Sequence, residues 1–283
     1  MGRLNPEWKP WLELLDAARR AASEPFWSVA APVVPAADRA ADAPLLQGAT
    51  IALPHRPARR WVRSLIRLAA RQDTPGAASL ARLKFRRLDV AELLEAAIAL
   101  DPSAVEEIAK ESGADANALA AVAQFAAFPL LQACGRRLEE HVAGDWSEGY
   151  CPICGAWPSL VEMRGIERTR RHRCGRCGAD WAATVLRCPF CDERDHRKQG
   201  GLVPDGEEEL RKVDTCHTCR SYMKAITTLG PIAPDAVLLE DLATVELDLA
   251  AIERGYARPD RPGYSVRVRA GGGGARVTSG ESS

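Results

Sequence analysis

Apolar residues recur at helical intervals through the first half of the chain and at strand-like intervals through much of the second, and that change of period divides the sequence in two. Trp61, Leu65, Leu68 and Ala69 form one helical stripe; Val90, Leu93, Leu94, Ala97 and Ile98 form another within DVAELLEAAIAL. Asp101 stands where an N-cap belongs, followed by Pro102 at the first helical position and by Glu106 and Glu107 near the positive end of the helix dipole. Gly113 stops that helix. Asp115 opens a long alanine-rich one, which Pro129 is expected to end or kink near Phe128 before LLQACGRRLEEHVA continues. Ahead of these helices, Pro25, Pro32, Pro35, Pro44, Pro54 and Pro57 mark a segment that should sustain neither helix nor sheet and should wrap the domain as an extended arm. Residues 1–145 are therefore predicted to form a bundle of about five to seven helices with a Pro-rich arm.

From Gly144 to Tyr150 alanine thins out, and cysteine pairs, arginines and β-branched residues take over, so the domain boundary is placed there. Leu160–Arg164 and Trp181–Leu186 alternate as strands do, with Gly165 turning the chain after the first, and Tyr222–Thr228 reads as a further strand. Each half of this region is expected to be a small antiparallel ribbon, over 146–187 and 188–258. Pro234 and Asp235 open a closing helix that runs to Gly255 with Val237, Leu238, Leu242, Val245 and Leu249 as its apolar stripe. The remainder, 259–283, with four consecutive glycines at 271–274, is expected to be disordered. The fold class is α+β: a helical bundle, two ribbon modules, and a closing helix.

Composition narrows the function. At 283 residues, 46% hydrophobic and 27% charged, the chain has an ordinary globular balance. Thirty-eight basic side chains against 38 acidic ones leave no global field for a polyanion, which argues against nucleic acid as the main partner. The stretch Asn117–Cys134 is the most apolar, but Gln124, Pro129 and Gln132 interrupt it, and it reads as a buried helix, not a membrane span. The amino-terminal residues lack a secretory pattern, so a cytosolic, reducing setting is expected.

Eight of nine cysteines fall into four C-x-x-C pairs: Cys151/Cys154, Cys174/Cys177, Cys188/Cys191 and Cys216/Cys219. A two-residue gap lets one turn aim both sulfurs at a common centre, and two such turns complete a tetrahedral site. Nineteen residues separate the first two pairs and 24 the last two, so sequential pairing is preferred, giving two metal sites. Gly155 and Gly178 follow the second cysteine of the first two pairs, where a positive φ is wanted; Asp192 and Arg220 occupy that position in the others, so the second site should be the less ideal. Other readings are purely structural metal and dithiol redox chemistry. Catalytic metal is disfavoured because eight thiolates leave no open position.

His172, His196 and His217 lie among the pairs and read as surface residues or neighbours of the ligands; Cys134 reads as a small buried hydrophobe. Ser159–Lys198 holds ten Arg or Lys against six acids, and Arg168, Arg170, Arg171 and Arg173 read as a solvated face. Trp157 and Trp181 should fill the ribbon cores. The sequence shows no phosphate loop, nucleophile elbow or Ser/His/Asp order.

The doubled ribbon, the segment TCHTCRSYMK at Thr215–Lys224, and EDLATVELDLAAIERGY at Glu240–Tyr256 together resemble the formate dehydrogenase accessory protein family known as FdhE. The resemblance runs from about Arg60 to Arg258. It implies a cytoplasmic, non-enzymatic assembly factor that binds the catalytic subunit of respiratory formate dehydrogenase before twin-arginine export. It also implies two rubredoxin-like sites, with iron expected and zinc a substitute, on Cys151, Cys154, Cys174, Cys177, Cys188, Cys191, Cys216 and Cys219. Two alternatives stand beside it: a nucleic-acid-binding zinc-ribbon protein and a C-x-x-C thiol oxidoreductase. Whether the chain forms a homo-oligomer is left open.

Overall fold

A computed structural model describes residues 8–33, 39–204 and 210–271. Seven α-helices occupy the first half of these residues: α1 (Lys9–Ala21), α2 (Pro25–Ala30), α3 (His55–Ala69), α4 (Ala77–Arg82), α5 (Val90–Ala99), α6 (Pro102–Ser112) and α7 (Ala116–Leu138). Asp89, Asp101 and Asp115 cap α5, α6 and α7 by accepting hydrogen bonds from first-turn N–H groups, and Gly113 ends α6 at φ 75°. At two prolines helix is present where a break was expected. Pro25 starts α2, because the first helical N–H needs no acceptor. Pro129 lies inside an unbroken α7, where Trp61 Nε1 donates to the Ala126 carbonyl in the same stretch. Surrounding helices bury α7 so thoroughly that packing outweighs the lost hydrogen bond. Among the described residues, Ala116–His141 is the one helix long and apolar enough to cross a membrane, and 72% of its apolar window is buried inside the protein.

The two ribbons are not separate sheets. β2 (Leu160–Arg164), β3 (Thr169–Arg173) and β4 (Asp180–Ala182) form one antiparallel ribbon; β5 (Gln199–Leu202), β6 (Arg211–Cys216) and β7 (Tyr222–Thr228) form the other. Parallel pairing of β2 with β7, Val161 opposite Ala225 and Arg164 opposite Thr228, fuses them into a six-stranded sheet of order β4-β3-β2-β7-β6-β5. Glu162 sits at the seam, fully buried. It pairs with Arg164 (2.7 Å) and buried Arg173, and it accepts hydrogen bonds from the Thr228 hydroxyl (2.8 Å) and the Ile232 N–H (2.7 Å). The expected strand Trp181–Leu186 shortens to β4, and the chain from Ala183 crosses to the second ribbon with Leu186 at φ 55°.

The closing helix is two helices, α8 (Val237–Leu242) and α9 (Val245–Glu253). The interruption serves Lys224, whose buried ammonium donates to the Asp241 carbonyl (2.6 Å) and pairs with the carboxylates of Asp241 and Asp248 (both 2.7 Å). Breaking the helix changes its phase. Leu247 and Ala251 are buried in α9, while the predicted Leu249 is 55% exposed.

Residues 259–271 are ordered, contrary to the expected disordered tail; 272–283 lie outside the described residues. Val266, Val268 and Ala270 alternate inward into the helical core, and β8 (Arg269–Gly271) pairs in parallel with β1 (Thr50–Ala52). The Pro-rich arm meets the same core: Leu45 and Leu46 are buried and donate backbone hydrogen bonds to Pro152 and Ile153 in the first cysteine turn.

Candidate metal centres

Each of the four cysteine turns is built the same way. The backbone N–H of Cys151, Cys174, Cys188 or Cys216 donates to a carbonyl five residues on, 2.8–3.0 Å away, and closes the turn. The residue after the second cysteine takes positive φ in all four: Gly155 (75°), Gly178 (79°), Asp192 (62°) and Arg220 (57°). Only the first two avoid the strain of a β-carbon there. The other two are held by contacts. The Asp192 carboxylate meets Arg187 and Arg194, while Arg220 stacks on Tyr256 at 4.2 Å and donates to the Arg254 carbonyl at 2.9 Å.

These turns bring together Cys151, Cys154, Cys174 and Cys177 in one cluster and Cys188, Cys191, Cys216 and Cys219 in another, with the sulfurs of each within 4.8 Å of one another. Sequential pairing is therefore what the fold creates. Sγ separations are 3.4 Å (Cys151–Cys177), 3.6 Å (Cys154–Cys174), and 3.7 Å for both Cys188–Cys219 and Cys191–Cys216. A disulfide would need about 2.05 Å. A tetrahedron with metal–sulfur bonds of about 2.3 Å has edges of about 3.8 Å, so both clusters fit a metal ion and each could hold one. Burial pushes the Cys151 and Cys177 thiols well up, and Cys191 up to about 11. Ionised thiolates at these positions need a cation beside them.

The two centres differ in their surroundings. All four cysteines of the first are buried within the helical core, whereas Cys191 is exposed and Cys219 half-buried at the second. At the first, α7 lies directly on the second turn: a β-carbon at Gly135 would fall 1.9 Å from the Cys177 carbonyl oxygen. The carboxy-terminal segment covers the other turn, where Tyr264 donates its N–H to the Gly155 carbonyl (2.9 Å). At the second, Glu193 bridges the turns by accepting from Thr218 (2.7 Å) and Lys198 (3.0 Å). Those bonds, Thr218 foremost, lower its carboxyl to about 2.

None of the histidines joins a cluster among the described residues. His172 is buried against Trp181, and burial with the nearby Arg170 charge lowers its pKa to about 3, so it is neutral. His196 is exposed, and His217 Nδ1 lies 3.2 Å from the Tyr256 hydroxyl. Cys134 is fully buried in α7, its thiol raised to about 12 by that burial. The arginines expected on a solvated face are instead neutralised: Arg170 pairs with Asp214, Arg171 with Asp180, and Arg173 with Glu162. Trp181 is buried, but in the core that the first ribbon shares with the helices, and Trp157 is half-buried beneath the carboxy-terminal segment, donating to the Arg261 carbonyl. Sequence reasoning missed Glu162, Lys224 and Gly135. A glycine inside a helical stretch was the one available signal.

No family model matches the chain. A protein FdhE homologue of Aquifex aeolicus is 33% identical over 121 residues, 41% of each chain. A homologue from Pseudomonas aeruginosa is 31% identical over 118 residues, and one from Haemophilus influenzae 30% identical over 116. Each match spans about two fifths of the relative's own length, 41%, 38% and 36% respectively. The crystal structure of the FdhE protein from Pseudomonas aeruginosa superimposes with a TM-score of 0.52 at 21% identity, covering 91% of this chain and 89% of that one, which shows a shared fold. Local sequence identity and fold point the same way: the chain is similar to FdhE homologues over about two fifths of its length and shares the fold of an FdhE protein over most of it.

Proposed function

We propose that this protein is a cytoplasmic, non-enzymatic maturation factor that binds the catalytic subunit of a respiratory formate dehydrogenase before export, and that its eight paired cysteines hold two metal ions. Similarity to FdhE homologues supports the client. The two S₄ clusters are the observation that carries the rest, because four protein sulfurs around an ion leave no position for substrate. Iron is the expected metal, and zinc is chemically acceptable to the same ligands. A bound ion would supply the positive charge that keeps the buried thiolates ionised and would lock each pair of turns. Assistance to a client then works by mass action: a partner that binds one folding or cofactor-loading state raises the population of that state.

The test is genetic and biochemical together. Deleting the gene should abolish respiratory formate dehydrogenase activity without changing transcription of the enzyme's genes, and a tagged copy should recover the catalytic subunit. Full activity in the deletion strain would refute the reading.

A further inference from the structure

Charge is distributed unevenly away from the metal centres. Between Ile51 and Leu88 the chain carries ten Arg or Lys and a single acid, Asp73. Since the whole chain is neutral, that segment is at +9 and everything else sums to −9. Arg56, Arg60, Arg63 and Arg67 line one exposed side of α3 over about 16 Å. Lys84, Arg86 and Arg87 approach from the loop after α4 and are exposed as well. Arg63 and Arg67 of the first set and all three of the second border a groove of about 580 Å³ with no acidic side chain in its lining and with Ala70, Leu83 and Phe85 as its half-buried apolar residues. Among the described residues, no carboxylate pairs with Arg63, Arg67, Lys84, Arg86 or Arg87, in contrast to the arginines of the sheet.

We propose that this groove docks an acidic segment of a partner protein that also carries apolar side chains. Unpaired like charges held side by side repel one another, and a row of carboxylates relieves that repulsion while Arg offers each a bidentate donor pair. The apolar lining discriminates between polyanions. A phosphate backbone uses the cations but leaves the half-buried Ala70, Leu83 and Phe85 edges open to water, whereas leucine or phenylalanine among the acids would cover them. Bases would need an open aromatic platform, and the Phe85 ring is already engaged by the guanidinium groups of Arg59 (4.6 Å) and Arg63 (4.4 Å). The negative remainder of the surface repels an acidic partner, so encounter is directed to this face. The proposal is independent of the metal centres and of the identity of the client.

The experiment uses the full metal-loaded chain and a fluorescein-labelled synthetic peptide with Glu and Leu at helical spacing, read by anisotropy. Controls are the same peptide with every Leu replaced by Ser and a DNA oligonucleotide of matched charge. The wild-type protein should bind the first peptide saturably. Affinity should fall at least about tenfold in Arg63→Glu/Arg67→Glu and in Arg86→Glu/Arg87→Glu, with added salt, and with the Ser peptide. All four positions are exposed, and the second pair lies on a loop, so it retains the test if the helix variant misfolds. Circular dichroism and metal content verify the fold. No binding by wild type, binding unchanged in a folded variant, or the oligonucleotide binding more tightly than the Leu peptide would each overturn the proposal, the last by assigning the groove to nucleic acid.

Discussion

Replacing Gly135 with alanine tests whether the helical half and the first cysteine cluster are one mechanical unit. The new β-carbon would stand 1.9 Å from the Cys177 carbonyl oxygen. An ordinary C···O contact is about 3.3 Å, so the helix and the cysteine turn must part by about 1.4 Å. The obstacle is backbone, which cannot rotate aside, so the upper part of the usual overpacking cost of about 1–3 kcal/mol applies. Alanine recovers about 1 kcal/mol of helix propensity, leaving a net loss of about 1–2 kcal/mol. Because Cys177 belongs to the first cluster, the same displacement should loosen that site and spare the second. Urea unfolding of the metal-loaded protein, with site-resolved release to a chelator, reads both effects. A variant as stable as wild type, with unchanged release from the first cluster, would refute the reasoning.

Three further predictions follow from the same contacts. Glu162→Ala should destabilise the fused sheet by about 3–5 kcal/mol, since it strands buried Arg173 without its carboxylate. Burial raises the Glu162 pKa, but hydrogen bonds from Arg164, Ile232, Thr228 and Arg173 outweigh it and hold the group below the ordinary range. Its contribution is thus complete above an unfolded value of about 4.3 and fades as pH falls through the lower folded value; Glu162→Gln should flatten that acid-side slope in urea midpoints. Asp192→Gly should relieve about 1 kcal/mol of backbone strain, offset only in part by loss of its exposed pairs with Arg187 and Arg194, and slow metal release from the second cluster, whereas Arg220→Gly should gain less because it loses the Tyr256 stacking and the Arg254 carbonyl. After metal removal, alkylation mapped by mass spectrometry should label Cys191 and Cys219 first and Cys134 last; early labelling of Cys134 would contradict its burial.

The cysteine pairing and the capped helices were legible because both are local signals. A C-x-x-C turn or an Asp-Pro start needs only neighbouring residues, and Asp101 and Asp115 cap as expected. The β2–β7 seam was not legible, because parallel pairing joins residues more than sixty apart with no turn between them. Pro129 does not end α7 because a local rule met a helix buried along most of its length, and Leu249 misled because Lys224, distant in sequence, interrupts the closing helix at Thr244. The carboxy-terminal segment did carry a signal, the alternation of Val266, Val268 and Ala270, overshadowed by the glycine run beyond it. The cationic groove was hidden by summing charge over the whole chain instead of over Ile51–Leu88.

Metal analysis of anaerobically purified protein bears most directly on the two-centre assignment. The folded wild-type chain should contain two ions. Cys188→Ser/Cys191→Ser should contain one while keeping its helical half folded, because the second cluster lies outside the helical core. Chelator titration of wild type should empty the more exposed second cluster before the buried first. One ion or none in the folded wild type, ligands outside the four pairs, or the first cluster emptying before or together with the second would contradict it.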